Sequence, residues 1–130
     1  MSEAQDATSA AIYTALSALG VLGWAFYQHV PENTPPPVHI IGDISGEPLD
    51  DAGGDDERIS LEISSVFQGE QNKPVLVEQG RIKAALHEAT LTSVAGWTIR
   101  PLWQSSNAVL MPDAETYLGT STFTVFAFAD

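Results

Sequence analysis

The sequence predicts an α+β fold, in which an antiparallel sheet of about four strands packs against two helices. Segments 58–68 and 117–129 are rich in β-branched and aromatic residues, and in the first of them apolar residues alternate with period two, as in a strand with one face on a core. Segments 4–20 and 75–88 carry apolar residues at helical spacing. Strand pairs separated by a helix are typical of a sheet with helices on one face.

Length and composition predict one globular domain spanning residues 1–130. Hydrophobic residues make up 44% of the chain and charged residues 17%, which is typical of a folded domain. There is no cysteine, so disulfides, cysteine zinc ligands and thiol catalysis are excluded. The apolar stretch 10–26 is interrupted by hydroxyl side chains and glycines, and the first residues are acidic. We therefore expect a soluble protein without a membrane span or signal peptide.

The first helix combines an apolar face with small residues. Ile12 and Leu16 lie on one face, and Thr8 is not expected to extend that face. A stripe of alanines beside them allows close packing, which we interpret as contact with the sheet of the same subunit rather than with another subunit. The stripe consists of Ala4, Ala7, Ala11, Ala15 and Ala18. For the second helix, Asn72 is the expected N-cap.

Turn chemistry places the boundaries between the strands. A run of prolines leads into a strand over residues 38–44, and residues 43–57 form a predicted acidic loop with seven acids and no base. Residues 97–103 alternate as a strand, and Pro101 within them indicates a sheet edge or a bulge. Residues 109–111 extend this strand after a polar break.

The sequence contains no strong catalytic or cofactor motif. Its three histidines, His29, His39 and His87, show no metal-ligand spacing, so each is interpreted as a hydrogen-bonded surface or half-buried side chain. The acidic run 50–57 contains carboxylates and glycines but lacks the alternating oxygen ligands of a calcium loop. We therefore expect no catalytic residue, no metal and no cofactor, and a protein that is not an enzyme.

Charge narrows the class of partner. The chain has 17 acids and five bases, which give a net charge of −12. Such a surface repels nucleic-acid phosphates and anionic membranes, so the expected partners are proteins. An acidic protein-binding module, such as a DNA mimic or an inhibitor, is the alternative, although a mimic would spread its acids along a face. A small hydrolase has no support beyond the scattered histidines.

The ordered set of features resembles the tail terminator family (tail completion, or tail-to-head joining) of long-tailed phages and gene transfer agents. The resemblance rests on the alanine-rich first helix, the segment from Tyr27 to Pro31, the proline-led strand 37–42 and the acidic loop. It continues through the strand 59–67, the second helix and a closing strand, and covers roughly residues 8–129.

This resemblance implies a structural virion protein that forms one subunit of a hexameric ring. Such a ring caps the completed tail tube, stops its polymerisation and joins the tail to the neck and head, after assembly in the host cytoplasm. The implied partners are further copies of the chain, the tail tube protein and a neck or head completion protein. DNA passes through the ring without specific binding, and no membrane is involved.

Two sets of residues are candidates for this function. We expect the acidic loop to face the lumen or an axial surface of the ring, with an outward solvated loop as the alternative. We expect some aromatic residues to contact other subunits or the tube, with burial in the monomer core as the alternative. The acidic set is Asp43, Glu47, Asp50, Asp51, Asp55, Asp56 and Glu57. The aromatic set is Trp97, Trp103, Phe126 and Phe128. Arg58 is the expected ion-pair partner of Asp55, Asp56 or Glu57.

Overall fold

The computed structural model of the protein describes residues 3–18, 21–28, 34–49 and 55–130. In these residues two helices pack on a five-stranded sheet. The helices are α1 (Glu3–Leu16) and α2 (Lys73–Leu86). The strands are β1 (Ala25–Tyr27), β2 (Val38–Pro48), β3 (Glu57–Gln68), β4 (Trp97–Leu110) and β5 (Thr116–Ala129). Their order is β1-β2-β3-β5-β4, with β1 parallel to β2 and the other pairs antiparallel. The predicted α+β class is confirmed, with a fifth strand beyond the four expected.

The core lies between the two helices and the inner face of the sheet, which is the face they cover. On β3, at the middle of the sheet, Ile59, Leu61 and Ile63 are fully buried, as their alternation predicts. Phe123 pairs with Leu61 across β3 and β5 and is also fully buried. The opposite face, here called the outer face, carries no helix in the described residues. As far as the described residues go, the sheet is therefore covered on one side only.

Strand β2 extends beyond its predicted end. The loop expected over residues 43–57 does not begin at residue 43, because β2 and β3 remain paired as far as Pro48 and Glu57. The prediction of a loop over residues 43–48 is therefore wrong. The turn-forming residues on which it rested belong to a strand.

The position of β2 in the sheet explains this difference. Strand β1 pairs with residues 38–40 only, so the remainder of β2 is a sheet edge in the described structure. An edge tolerates glycine and proline because one side of the strand needs no hydrogen-bonding partner. A β-bulge between Ile41 and Ile44 takes up the intervening residues and lets the pairing with β3 resume.

Helix α1 packs on the core of its own chain. Ala4, Ala7 and Ala11 are buried, in agreement with contact inside the subunit. Thr8 was expected outside the apolar face, but it is fully buried, and its hydroxyl has no hydrogen-bond partner in the described residues. The helix ends at Leu16, and its predicted end at residue 20 lies outside the described residues.

Helix α2 begins one residue after Asn72, so the predicted N-cap position is confirmed, although the side chain does not make the cap. Asn72 has helical backbone angles (φ −82°, ψ −11°), and its side chain makes no capping hydrogen bond in the described chain. The buried side of the helix includes Glu78 and Gln79 beside the expected Val75 and Ile82. Of the helices in the described residues, neither is long and apolar enough to cross a membrane.

Strand β4 is continuous and lies at a sheet edge. The predicted polar break is wrong, because a bulge between Trp103 and Ser105 lets the polar residues stay paired with β5. The predicted edge position of Pro101 is confirmed, because β4 is the last strand in the sheet order. The hairpin of β4 and β5 therefore forms one side of the molecule.

Candidate functional site

One end of the sheet gathers acidic side chains. Strand β2 ends and β3 begins there, and a surface cleft at this end is lined by Glu47, Asp55, Asp56 and Glu57. Glu3, at the start of α1, lines the same cleft. These five residues are here called the acidic end. The structure thus brings together four residues of the predicted acidic set.

Two hydrogen bonds hold this end to the rest of the sheet. Asp56 Oδ1 accepts from the backbone N–H of Ala129 at 2.8 Å, and the carbonyl of Asp56 accepts from the N–H of Leu49 at 3.1 Å. The first bond joins the start of β3 to the end of β5. Asp56 is therefore tied by hydrogen bonds both to the end of β5 and to the residue that follows β2.

The other members of the predicted acidic set are not part of the acidic end. Asp43 is exposed at the bulge of β2, and four residues of strand, on the order of 13 Å, separate it from Glu47. Asp50 and Asp51 lie outside the described residues. In the part of the chain that is described, no group of three or more His, Asp or Glu side chains converges as metal ligands would.

Arg58 pairs with Glu47, and its predicted pairing with Asp55, Asp56 or Glu57 is wrong. The strand register explains the partner, because Glu47 and Arg58 stand directly opposite each other on β2 and β3. Both side chains are about half exposed, at 56% and 53%. Such a pair contributes about 0–1 kcal/mol to stability.

The predicted aromatic set is divided between the two faces of the sheet. Trp97 and Trp103 are partly buried against the core, and the Nζ atom of Lys83 lies 3.9 Å from the ring centroid of Trp103. Phe126 and Phe128 lie on the outer face, with their ring centroids 6.4 Å apart and their planes 13° apart. Of the four, only the two phenylalanines are placed on the uncovered face.

The opposite end of the sheet carries exposed apolar side chains. There β3 ends, α2 begins and the β4–β5 hairpin turns, and the N–H of Gly69 donates to the carbonyl of Glu115 at 3.0 Å. In the described residues, the exposed large hydrophobic side chains all belong to this end, here called the apolar end. They are Leu76, Val77, Val109, Leu110 and Met111, from 36% to 52% exposed. The sequence reasoning missed this surface, although the uninterrupted apolar run 108–111 was a signal for it.

The turn of the apolar end is held by one aspartate. Asp113 Oδ1 accepts from the backbone N–H groups of Glu115 and Thr116, at 2.9 and 2.8 Å. Asp113 Oδ2 accepts from the hydroxyl of Thr116 at 2.6 Å. These bonds favour the ionised carboxyl and lower the pKa of Asp113 below its usual 3.8. Met111 is therefore presented from a turn with defined hydrogen bonds.

A buried polar cluster joins α2 to the strands between the two ends. The side chain of Glu78 is 3% exposed, and its Oε1 accepts from the backbone N–H groups of Gly23 and Trp24 at 2.8 and 2.9 Å. Its Oε2 accepts from Arg81 at 2.8 Å, and its Oε1 lies 3.1 Å from Nε2 of His39. Sequence reasoning missed Glu78, although it lies three residues after Val75 on the buried side of the helix.

His39 is fully buried, and its neighbours fix its tautomer. An ionised Glu78 can only accept, so Nε2 of His39 carries the proton, and Nδ1 accepts from the hydroxyl of Ser65 at 2.7 Å. The ring of Trp24 stacks on it at 4.9 Å. Burial lowers the pKa of His39 below its usual 6.5, and the hydrogen bond to Glu78 opposes this only in part. The ring is therefore neutral at pH 7.

The other predicted histidines are not near this cluster. His87 follows α2 at the surface, where its Nδ1 accepts from the backbone N–H of Trp103 at 2.9 Å. His29 lies outside the described residues. The polar cluster is thus a set of hydrogen bonds that lies largely inside the fold, whereas the two ends, the outer face and the sheet edges of the described residues are surfaces that a partner can reach.

The described residues thus present two unlike surfaces at the ends of one sheet, one acidic and one apolar. The sequence profile of the tail completion protein gp17 matches residues 9–127, and the chain belongs to this family. The resemblance seen in the sequence is thereby confirmed, and the protein is a structural tail protein.

The fold is similar to a solved chain from the "Virion of native gene transfer agent (GTA) particle", with a TM-score of 0.83. The two chains are 17% identical, and the similarity covers 96% of this chain and 97% of that one. At this identity the comparison concerns the fold. A search of curated proteins gave no match.

Proposed function

We propose that this protein is a tail terminator, whose copies close into a hexameric ring on the end of the tail tube. The ring stops polymerisation of the tube protein and binds a neck or head completion protein, so that the tail joins the head in the virion. Assembly takes place in the host cytoplasm. The protein acts through surface contacts and catalyses no reaction.

The observation that carries this proposal is the separation of acidic and apolar surface along one sheet. A capping ring binds proteins at its faces and lets DNA pass through its lumen, and these two tasks require different surfaces. The apolar end offers exposed side chains such as Leu110 and Met111 for a protein contact. The acidic end offers Asp55, Asp56 and Glu57, which repel phosphates.

In this proposal the acidic end lines the lumen or an axial opening. Carboxylates repel the phosphates of the DNA backbone and so keep the DNA from adhering to the wall of the lumen. DNA therefore passes through the ring without specific binding. The remaining acids of the predicted set, Asp43, Asp50 and Asp51, are proposed to add to this negative potential. Arg58 offsets the charge of Glu47, with which it pairs, so the net negative charge of the acidic end comes from its other four carboxylates.

The outer face supplies a second candidate contact. Phe126 and Phe128 form a stacked pair on the uncovered face, and aromatic side chains are enriched in protein interfaces. Trp97 and Trp103 pack against the core, so for them the role inside the monomer is favoured. Trp103→Ala is therefore expected to lower monomer stability, whereas Phe128→Ala is expected to weaken assembly first.

Light scattering and negative-stain imaging test the proposed function. The chain is examined alone and after addition to growing tail tubes of the cognate tube protein. We expect six-fold rings, at least on tube ends, and tubes that no longer lengthen. A chain that remains monomeric beside tubes that continue to grow would contradict the proposal.

A further inference from the structure

One half of the β4 edge is closed by the chain itself. The backbone groups of Leu91 and Ile99 exchange two hydrogen bonds, at 2.8 and 2.9 Å. The N–H of Glu88 donates to the carbonyl of Pro101 at 3.0 Å, and Nδ1 of His87 accepts from the N–H of Trp103. The segment that follows α2 therefore covers this edge as far as the bulge.

Beyond the bulge, residues 104–110 form an open sheet edge. The N–H of Met111 donates to the carbonyl of Thr116 at 2.7 Å, and the alternation of an antiparallel pair then turns the N–H of Ala108 away from β5. In the described residues, the contact from outside the hairpin to this stretch of backbone is Gln79 Nε2 to the carbonyl of Asn107, at 2.6 Å. An extended strand can therefore add along this edge.

Helix α2 forms the wall of a trough beside this edge. Leu76, Gly80, Lys83 and His87 follow one another at helical spacing, and Lys83 and His87 both contact Trp103 of β4. A side-chain carbon added at Gly80 would meet no atom within 4 Å, so the surface beside Gly80 is open.

The charge pattern selects a second copy of this chain as the occupant. The chain carries a net charge of −12, so two copies repel each other wherever their acids approach. Residues 101–112, which include the open edge, contain no charged residue, and neither do residues 21–28, which include β1. These two segments hold the opposite edges of the sheet. Neither segment brings a charge of its own to an edge-to-edge contact, although Lys83 lies over Trp103 and the Glu78–Arg81 pair lies beside Gly23.

We propose that the open edge of β4 pairs with the β1 edge of a second copy, so that the sheets of neighbouring subunits become continuous. The contact joins unlike patches, which is the heterologous geometry that a closed ring requires. This inference deepens the proposed function and rests on the ring described there. It assigns the contact between neighbours to the two sheet edges.

Cysteine cross-linking tests the pairing, because the natural chain has no cysteine. Ala25→Cys places a thiol in β1, and Ser105→Cys places one on the open edge of β4. With a short bismaleimide, the double variant should give a ladder of covalent multimers on a denaturing gel, on which each single variant should run as a monomer. Cross-linking by Ser105→Cys alone would show that two β4 edges meet, which overturns the inference. Ala25→Cys with Thr92→Cys, in an exposed connector, is the matched control.

A proline on the open edge provides an independent test. Ala108→Pro removes an N–H that makes no bond to β5, so the monomer should keep its unfolding midpoint, while the ring population should fall by about tenfold or more. Ser93→Pro, in the exposed connector, is the control and should leave both unchanged. Normal rings formed by folded Ala108→Pro would overturn the inference.

The outcomes separate this inference from the proposed function. Rings that form without cross-links between residues 25 and 105 contradict the edge contact and leave the terminator function intact. Cross-linked multimers that never close into rings or arrest tubes support the edge contact and contradict the terminator function. If neither the cross-links between residues 25 and 105 nor rings that arrest tube growth are observed, both proposals are contradicted.

Discussion

The two ends of the sheet differ sharply in side-chain chemistry, although the same strands run into both. At the acidic end, Glu47 and Glu57 stand within a cleft of carboxylates. At the apolar end, Leu110 and Met111 are exposed on a hydrogen-bonded turn. Because the strands are antiparallel, residues distant in sequence are collected at each end. The subunit therefore has two unlike ends along its strands, which would form two unlike surfaces of the proposed ring.

The polar cluster around Glu78 connects the framework between these ends. It ties α2, which begins at the apolar end, to β2 and to the segment before β1. Changes to this cluster should affect the whole subunit, whereas changes at either end should affect one surface. The predictions below use that contrast, in order of decreasing effect on stability.

Glu78→Gln should cause the largest loss of stability. Both carboxylate oxygens accept hydrogen bonds from donors, and an amide offers only one acceptor, so its NH2 group would face a donor. We expect the free energy of unfolding to fall by about 2–3 kcal/mol, measured by urea denaturation. Glu88→Gln, on a side chain that is 73% exposed, is the control and should change it by less than about 0.5 kcal/mol. If Glu78→Gln and Glu88→Gln lowered the free energy of unfolding equally, Glu78 would not be the residue that connects α2 to the strands.

Acid should weaken the fold through His39. Its pKa is lowered by burial, so the unfolded chain takes up a proton at higher pH than the native protein does. Stability from the neutral ring is therefore present above the usual pKa of 6.5 and is lost as the pH falls below it. The expected slope is at most about 1.4 kcal/mol per pH unit.

Urea denaturation between about pH 7.5 and 5.5 measures this slope. His39→Gln removes the titrating group and should flatten the pH dependence, at the expense of a lower stability at neutral pH. A slope that persists unchanged in His39→Gln would assign the acid sensitivity to other groups.

Thr8→Val should raise stability by about 1 kcal/mol. The buried hydroxyl of Thr8 has no hydrogen-bond partner in the described residues, and valine has a similar shape without the polar atom. Thermal unfolding would show a higher midpoint. Thr14→Val, at an exposed position of the same helix, is the matched control for the change in helix propensity. A loss of stability in Thr8→Val would show that the hydroxyl has a partner after all.

The sequence was sufficient for the local elements and the central strand, because alternation and helical spacing report one buried face directly. It predicted a loop over residues 43–48, because glycine and proline signal turns unless the strand is known to lie at a sheet edge. Thr8 and Glu78 were missed for a related reason. A polar residue on a helix is predicted to be exposed unless its neighbours in the fold are known. Glu78 is hydrogen-bonded to His39 and Gly23, which are separated from it by 39 and 55 positions in the sequence.

The candidate site was predictable in part. The acids of the loop were recognisable from their density, and the family resemblance followed from the order of several weak features. The partner of Arg58 depended on strand register, which composition does not reveal. The apolar end depended on which residues remain uncovered after folding, and only the topology brings Leu76 to the same end as Leu110.

Leu110→Gln with Met111→Gln should change the apolar end without changing the fold. Both side chains are exposed, at 47% and 36%, so the free energy of unfolding should stay within about 0.5 kcal/mol of the natural protein. If this end contacts the tube, arrest of tube growth should be lost. Thr92→Gln with Ser93→Gln, at exposed positions of the connector, is the control. A fold destabilised by more than about 2 kcal/mol would place these side chains in the core instead.

The acidic end should show the smallest effect on stability and a clear effect on DNA. Asp55→Asn, Asp56→Asn and Glu57→Gln together remove three charges, and Asn at position 56 keeps an oxygen that can accept from the N–H of Ala129. Unfolding should therefore change by less than about 0.5 kcal/mol. At low salt, rings of this variant should retain DNA in a gel-shift measurement where rings of the natural protein do not, and added salt should abolish the difference. Glu70→Gln, Glu88→Gln and Glu115→Gln remove the same charge at exposed positions away from this cleft. If these changes cause the same retention, the effect comes from net charge alone, and the acidic end has no special place on the path of the DNA.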